Sequence, residues 1–533
     1  MSNLDRPGVT DQTSIDPLEV DGVSVRIPLD GNDSTIIPPA SSSLSDTKPS
    51  ISPKSVNNSK DLPKIPTNSP ANSPTSPTGK PFNVPEGATK KQIIATVMLK
   101  LGQSYFKVVL LFLAILSVFW GSIYGRASRF TNLDMLVVSA DLEFSSGNTL
   151  ILPLLSDAFG NMLINDTIVA NLGGYEFVSI EDFTALAESN NNTVEQEIAR
   201  QIHHQKYWVA FYIKPNATEL IYSSMVSGNS SLISTGAISQ LIEVVYESGR
   251  HFSALNQYVT KHILNTQDIW LKEYVTQEVY NPLVGLLPNS SLTKLLSSND
   301  TISILTTKPT FNILDMRPPS DAAVLGPSEL GLIYALVFSF HQFNFSLEIY
   351  TYIRTRLKFR QYLVWRMFAS QFNCVVLALV YCLATLAFQI NINLTFGHAG
   401  FMVYWAMMYL FISASGAINE VMATILLAYD LKAWLAPWMV INIVFNISTT
   451  FAPFELCPGF YKFGYALPMY NAYEALKVLF FNTWKGNLGR NIGILLAWTV
   501  VGQTLLLGIY QWQKKRFARK REREIEKNSR KET

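Results

Sequence analysis

Six polar residues stand inside long apolar runs: His341, Gln342 and Glu348 in one, Asn442 and Asn446 in a second, Gln503 in a third. An unpaired polar group in hydrocarbon is costly, so such residues face a partner helix or a water-filled cavity. Two chemistries fit them. They can line a path for an amphiphile or a coupling proton, a role open to His341 because imidazole titrates near pH 6.5. Alternatively they hydrogen-bond helix to helix, a contact of about 0.6 kcal/mol on average in one membrane bundle. On a helix, His341, Phe345 and Glu348 share a face, Gln342 lies about 100° round from it, and Asn442 and Asn446 form an i, i+4 pair. Asn419 and Glu420 come where another apolar run should meet water. Ser413 and Ala417 place small residues four apart, the spacing of a close helix contact.

Little else in the chain could do chemistry. His203 and His204 are the one histidine pair, but further ligands at metal-binding spacing are missing, and two exposed residues before a strand are expected there. The sequence has no G-x-x-x-x-G-K-[ST] phosphate loop, H-E-x-x-H zinc helix or G-x-S-x-G nucleophile turn. The glycines of KGNLGRN follow no strand and open no dinucleotide-binding unit. No enzyme activity, cofactor, metal or nucleic-acid partner is expected.

The elements that position the polar residues follow from composition. Charged residues make up 15% of the 533, against roughly 25% in soluble domains. Three cysteines, Cys374, Cys382 and Cys457, are too few for a disulfide framework. Six segments approach the roughly 20 apolar residues needed to cross a bilayer: 107–123, 329–349, 373–390, 400–417, 434–454 and 492–512. Residues 1–88 hold 14 of the 26 prolines and read as a disordered Ser/Pro-rich tail. Its Ser-Pro pairs at Ser52, Ser69, Ser73 and Ser76 are candidate phosphorylation sites.

Orientation follows from lysine and arginine in short loops. The connection 350–367 carries Arg354, Arg356, Lys358, Arg360 and Arg366 and no acid, and the tail 513–533 has ten basic and four acidic residues. Both read as cytoplasmic, which places the N-terminus inside and the long segment 126–328 outside. That segment carries Asn-X-Ser/Thr acceptors at Asn165, Asn191, Asn216, Asn229, Asn289 and Asn299, and another falls at Asn393 in a short outer loop. Between residues 130 and 328 there are 20 acidic and 9 basic residues, the reverse of the inner loops. MLVVSADLEF and YWVAFYIKP read as strands, and 238–268 as one or two helices. An α+β domain is expected.

Three blocks carry a resemblance: 105–138, 325–345 (LGPSELGLIYALVFSFHQFNF) and 454–498 (FELCPGFYKFGYALPMYNAYEALKVLFFNTWKGNLGRNIGILLAW). They resemble the fungal nitrosoguanidine-resistance membrane proteins, a group related to the bacterial phage-infection-protein type and to the membrane half of ABC-2 transporters. The resemblance implies a plasma-membrane protein tied to resistance to toxic compounds and to lipid distribution between leaflets. It also implies short helices within 454–484 that dip into the outer leaflet. That segment's ten aromatic residues otherwise read as an interfacial belt. No catalytic residues come with the resemblance, and without a nucleotide-binding domain ATP-driven export would need a separate ATPase.

The expected architecture is an α-helical polytopic membrane protein with six transmembrane helices, one plus five. Its parts are the tail 1–88, a lead-in and first span 89–125, a glycosylated extracellular domain 126–328, an ABC-2-like five-helix domain 329–512, and a basic tail 513–533. That tail either binds anionic inner-leaflet lipids or forms a solvated helix. The candidate partners are membrane lipids, other membrane proteins of lipid translocation or efflux, and a second copy of the chain. Two functions compete: a transporter-like protein acting on lipophilic compounds, and a non-transporting regulator or scaffold of a lipid-translocating or efflux machine.

Overall fold

The computed structural model describes residues 89–532; the tail 1–88 and its four Ser-Pro sites lie outside them. The first helix, α1 (Lys90–Ile123), begins well before the expected span. It contains no proline, and the Gln92 side chain accepts from the backbone N–H of Thr89 at 3.0 Å, a local start signal. It ends where Tyr124 turns extended and Gly125 takes φ +66°. At about 1.5 Å per residue it is about 50 Å long, well beyond a hydrocarbon core of about 30 Å.

The chain then builds an α/β domain rather than the expected α+β one, because helices cover both faces of a largely parallel sheet. Its strands are β1 (Asp134–Ser139), β2 (Phe144–Ser146), β3 (Thr149–Ile151), β4 (Gly174–Val178), β5 (Val209–Ile213), β6 (Ile242–Tyr246) and β7 (Phe311–Asp315). The main sheet runs β4-β1-β5-β6-β7, and β2 and β3 form a separate hairpin. β1 is parallel to both neighbours, β5 and β6 are antiparallel, and β6 and β7 are parallel. Both readings of strands, at β1 and β5, match the structure. β5 is buried at every residue because helices cover both faces of the sheet. Val209, Phe211 and Ile213 pack with Phe159, Ile221 and Trp270, and Ala210 and Tyr212 pack with Phe183, Ile198 and Ile202.

The expectation of helix throughout 238–268 is corrected here. IEVVY is strand β6, with Ile242 and Val244 in one core and Val245 in the other. A β-branched run with period 2 prevails over the looser helical spacing. After a 3-10 turn at Ser248–Arg250, α-helix starts only at Phe252.

The second half is a helical bundle: α2 (Gly331–Arg356), α3 (Phe359–Ala387), α4 (Gly400–Ala428), α5 (Leu435–Thr450), α6 (Pro468–Phe481) and α7 (Leu488–Glu532). Five helical runs among the described residues are long and apolar enough to cross a membrane: Lys90–Ile123, Ala322–Arg356, Phe359–Ala387, Gly397–Ala428 and Leu488–Arg523. The remaining expected span, 434–454, holds the 16-residue α5, about 24 Å long. The hydroxyls of Ser448, Thr449 and Thr450 bond back to carbonyls one turn earlier, and Pro453 follows. Back-bonding of this kind loosens a helix, and a proline stops it.

Three boundaries move in ways that matter. The connection between α2 and α3 is only Leu357 and Lys358, so Arg366 lies in a helix rather than in a loop. α4 runs on to Ala428, which puts Asn419 and Glu420 inside the bundle. α7 continues through the basic tail as helix. In the segment 454–484, short helical turns at Phe454–Leu456 and Gly459–Ala466 lead into α6. Phe460 and Tyr465 are exposed, but Tyr473, Phe480 and Phe481 are buried. α6 is therefore a core element wedged between the α/β domain and the bundle, rather than a surface belt.

Candidate functional site

The most concentrated charge chemistry in the bundle is a buried ion pair between Arg366 on α3 and Glu420 on α4, whose side chains are 1% and 2% exposed. Arg366 lies two helical turns after the start of α3, and Glu420 lies about two turns before the end of α4. Both therefore sit about 10–12 Å in from the same end of the bundle. Nε of Arg366 donates to the Tyr510 hydroxyl on α7 at 3.2 Å, and the guanidinium carbon lies 3.2 Å from the ring centre of Tyr350 on α2. Glu420 accepts from the hydroxyls of Ser370 at 2.9 Å and Tyr510 at 3.4 Å. Asn373 holds the Tyr350 hydroxyl at 3.3 Å.

Four helices thus converge on one pair of opposite charges. Their approach has a local cause: a Cβ at Gly502 would stand 2.5 Å from that of Ala417, so glycine lets α7 lie directly on α4. Ala417 was expected at a close contact, and its partner is Gly502. Ser413 instead donates to Gln371 at 2.8 Å. Burying two charges costs several kcal/mol per ion, and well-packed apolar residues often do as well. A pair like this adds little net stability, whereas breaking it is severe.

A neutral network adjoins it. Asn419 donates to Ser339 at 3.1 Å and accepts from Trp438 at 3.2 Å and Asn442 at 2.9 Å. Asn446 donates to the Asn442 side chain at 3.0 Å and accepts from the Met469 amide at 3.3 Å. The chain of bonds ties α2, α4, α5 and α6 together.

A third polar centre joins the α/β domain to the bundle. Glu329 lies in a π-helical turn, Gly326–Leu330, just before α2. It accepts from the Tyr473 hydroxyl on α6 at 2.9 Å, from the Ser253 hydroxyl, and from the Ser253 amide at 3.4 Å. Beside it, Lys477 donates to the Arg250 carbonyl at 2.6 Å and pairs with Glu474 at 2.7 Å. Arg250 lies 3.8 Å over the Trp208 ring and donates to the Tyr207 carbonyl at 2.6 Å. Burial lowers the Arg250 guanidinium to about 10. Burial and the Lys477 charge push the His251 imidazole down to about 3, so this ring is neutral in the folded protein. Phe252 stacks on Phe481, and a Cβ at Gly249 would meet Phe481 at 2.5 Å.

Of the six sequence candidates, the structure brings Asn442 and Asn446 together. His341 is half-buried with its ring edge-on to Phe340, and Glu348 is exposed. Gln503 is buried on α7. The Gln342 side chain lies outside the described ones. His203 is not simply exposed: its Nδ1 is 3.1 Å from the buried Glu247 carboxylate, while His204 stacks on Trp484. No cluster of three metal-ligating side chains occurs among the described residues. Asn165, Asn191, Asn216, Asn229, Asn289, Asn299 and Asn393 are all exposed, whereas Asn446 is buried. Arg366, Glu420, Tyr510 and Glu329 went unread as a group. A charge flanked by apolar residues, as in LVWRMFAS, was the available signal.

Among the comparisons with known proteins, one relative points to a membrane. A yeast protein (Saccharomyces cerevisiae), described as an uncharacterized endoplasmic reticulum membrane protein, is 26% identical over 418 residues, covering 76% of this chain and 78% of the relative. No solved structure matches. The chain is a multi-pass membrane protein. A family model described as protein of unknown function (DUF3533) matches residues 104–504. That match spans both the α/β domain and nearly all of the bundle, and the chain belongs to the DUF3533 family.

Proposed function

We propose that this protein redistributes lipids or lipophilic toxic compounds across its bilayer, with an ABC-2-like membrane domain that has no ATPase of its own. The observation that carries the reading is the Arg366–Glu420 pair. Charges inside a membrane bundle are expensive and mark working sites by default. This one sits where four helices meet, so breaking and remaking it would let them shift together. The resemblance to nitrosoguanidine-resistance proteins supports the same direction, with contribution to drug resistance as the cellular outcome and no enzyme chemistry. The α/β domain is assigned to the outside with glycans at the seven exposed acceptors, and both termini to the cytoplasm. The plasma membrane is the proposed location, although the yeast relative is described as an endoplasmic reticulum protein.

Purified protein in liposomes carrying fluorescent phospholipid tests this directly. Transbilayer movement above protein-free vesicles supports the reading, and none, with or without a proton gradient, rejects it. Glycosidase digestion should shift the intact protein's mobility, and loss of the acceptors from Asn165 to Asn299 should remove most of that shift. A tagged protein at the cell periphery supports the plasma-membrane assignment.

A second reading, a regulator or scaffold of a lipid-translocating or efflux machine, is favoured by the Glu329 joint. That joint fixes the α/β domain to α6, and the asparagine network is satisfied internally. Resistance that survives loss of the ion pair but not of the α/β domain would favour it. A second copy of the chain is a further candidate partner.

A further inference from the structure

One face of α7 changes character at Trp512. Before it, Val501 and Leu505 are exposed, and Gly508 has open space where a side chain would stand. After it, Lys515, Arg516, Arg519 and Arg523 line an open groove with Trp512. At 100° per residue these positions fall within one arc of about 100°, so an apolar strip runs straight into a cationic one. We infer that this face binds an anionic lipid, its acyl chain along Val501, Leu505 and Gly508 and its phosphorylated headgroup among the four cations.

Other features make the cationic half a site rather than scattered charge. The Arg516 guanidinium lies 4.0 Å over the Tyr429 ring and 5.3 Å from Trp512, which fixes its plane. Arg516 lines the groove with Lys515, Arg519 and Arg523, and guanidinium groups hold phosphate oxygens through paired charge-assisted hydrogen bonds. At the same level Lys514 lies 4.6 Å over Phe359 and Arg354 lies 5.5 Å over Phe517, contacts that hold the ends of α2 and α3 against α7. Glu526 follows Arg523 on α7 and bounds the cluster. Positive-inside charge accounts for basic residues near a span. It does not account for their lying on the same face as an open apolar strip. The apolar strip is what selects a lipid over a free phosphate. The site lies on the side proposed above as cytoplasmic, and its occupancy does not require that lipid be moved.

The test uses the full chain, extracted from membranes containing phosphatidylcholine with a phosphorylated phosphatidylinositol, and native mass spectrometry of retained lipid. Lys515→Gln, Arg516→Gln and Arg519→Gln together should reduce retained inositol lipid at least about tenfold, while Arg356→Gln, Lys358→Gln and Arg360→Gln together, an equal loss of charge, should reduce it less than about twofold. Leu505→Ser should weaken retention of the lipid. Soluble inositol trisphosphate should not displace it at matched concentration. Equal losses in the two triple variants, or no loss in either, overturn the site. Displacement by soluble inositol trisphosphate overturns the assignment to a lipid. Unchanged melting of each variant confirms that binding, and not folding, was altered.

Discussion

Glu329 and Glu420 are both withdrawn from water, at 3% and 1% exposed, and each accepts from one tyrosine and one serine hydroxyl. What completes the shell differs. Glu420 has the Arg366 guanidinium against it, and every group involved belongs to the bundle. Glu329 has a second donor from the same serine, the Ser253 amide, and that residue belongs to the α/β domain. The first is a charged lock among helices, and the second ties two parts of the molecule together through uncharged donors to one carboxyl group. A lock of opposite charges fails badly when half is removed, because the survivor is stranded in a low dielectric. A joint of neutral donors loosens at lower cost.

The largest effect should come from stranding a charge. Glu420→Ala should destabilise the bundle by about 3–5 kcal/mol, whereas Arg366→Met with Glu420→Met should recover most of that loss. Denaturation of the purified protein in detergent measures both, and a double variant as unstable as the single would break the distinction.

Next is a pH effect confined to the joint. His251 stays neutral in the folded protein down to about pH 3, because burial and then Lys477 oppose its charge. In the unfolded chain it takes up a proton below about pH 6.5. The unfolded state therefore binds more protons between these values, and stability falls with acidification at up to about 1.4 kcal/mol per pH unit. His251→Gln should flatten that slope, and an unchanged slope would remove His251 from the account. Glu329→Gln should cost about 1–3 kcal/mol through donors left unsatisfied. Hydrogen exchange should quicken around residues 248–254 while the amides of α3 and α4 keep their protection. Smallest is Asn442→Ala, at about 0.6 kcal/mol and below about 1.7. A much larger cost would place the asparagine network on a level with the ion pair.

Much of the fold was legible from short-range pattern. β1 and β5 stood out as β-branched and aromatic runs, and the apolar segments marked five of the six bundle helices and α1. The ion pair was not legible for a specific reason. Hydropathy ends a span at a charge, so Arg366 was counted with Arg354 and Arg356 in a loop that in fact contains two residues. Nothing local to Arg366 points to Glu420, since their pairing depends on α3, α4 and α7 packing side by side. β6 was missed because IEVVY, flanked by apolar residues at helical spacing, supports either period until the neighbouring β5 supplies hydrogen-bond partners. Asn442 and Asn446 were readable as a pair from their spacing, but not their link through Asn419 to Ser339.

Under the proposed function, the Arg366–Glu420 lock serves movement rather than stability. The most direct measurement is phospholipid redistribution in liposomes by wild-type protein and by Arg366→Met/Glu420→Met protein shown by melting to be folded. Movement by the wild type and its loss in the folded, neutral double variant is the predicted result. Equal movement by both proteins would contradict the account.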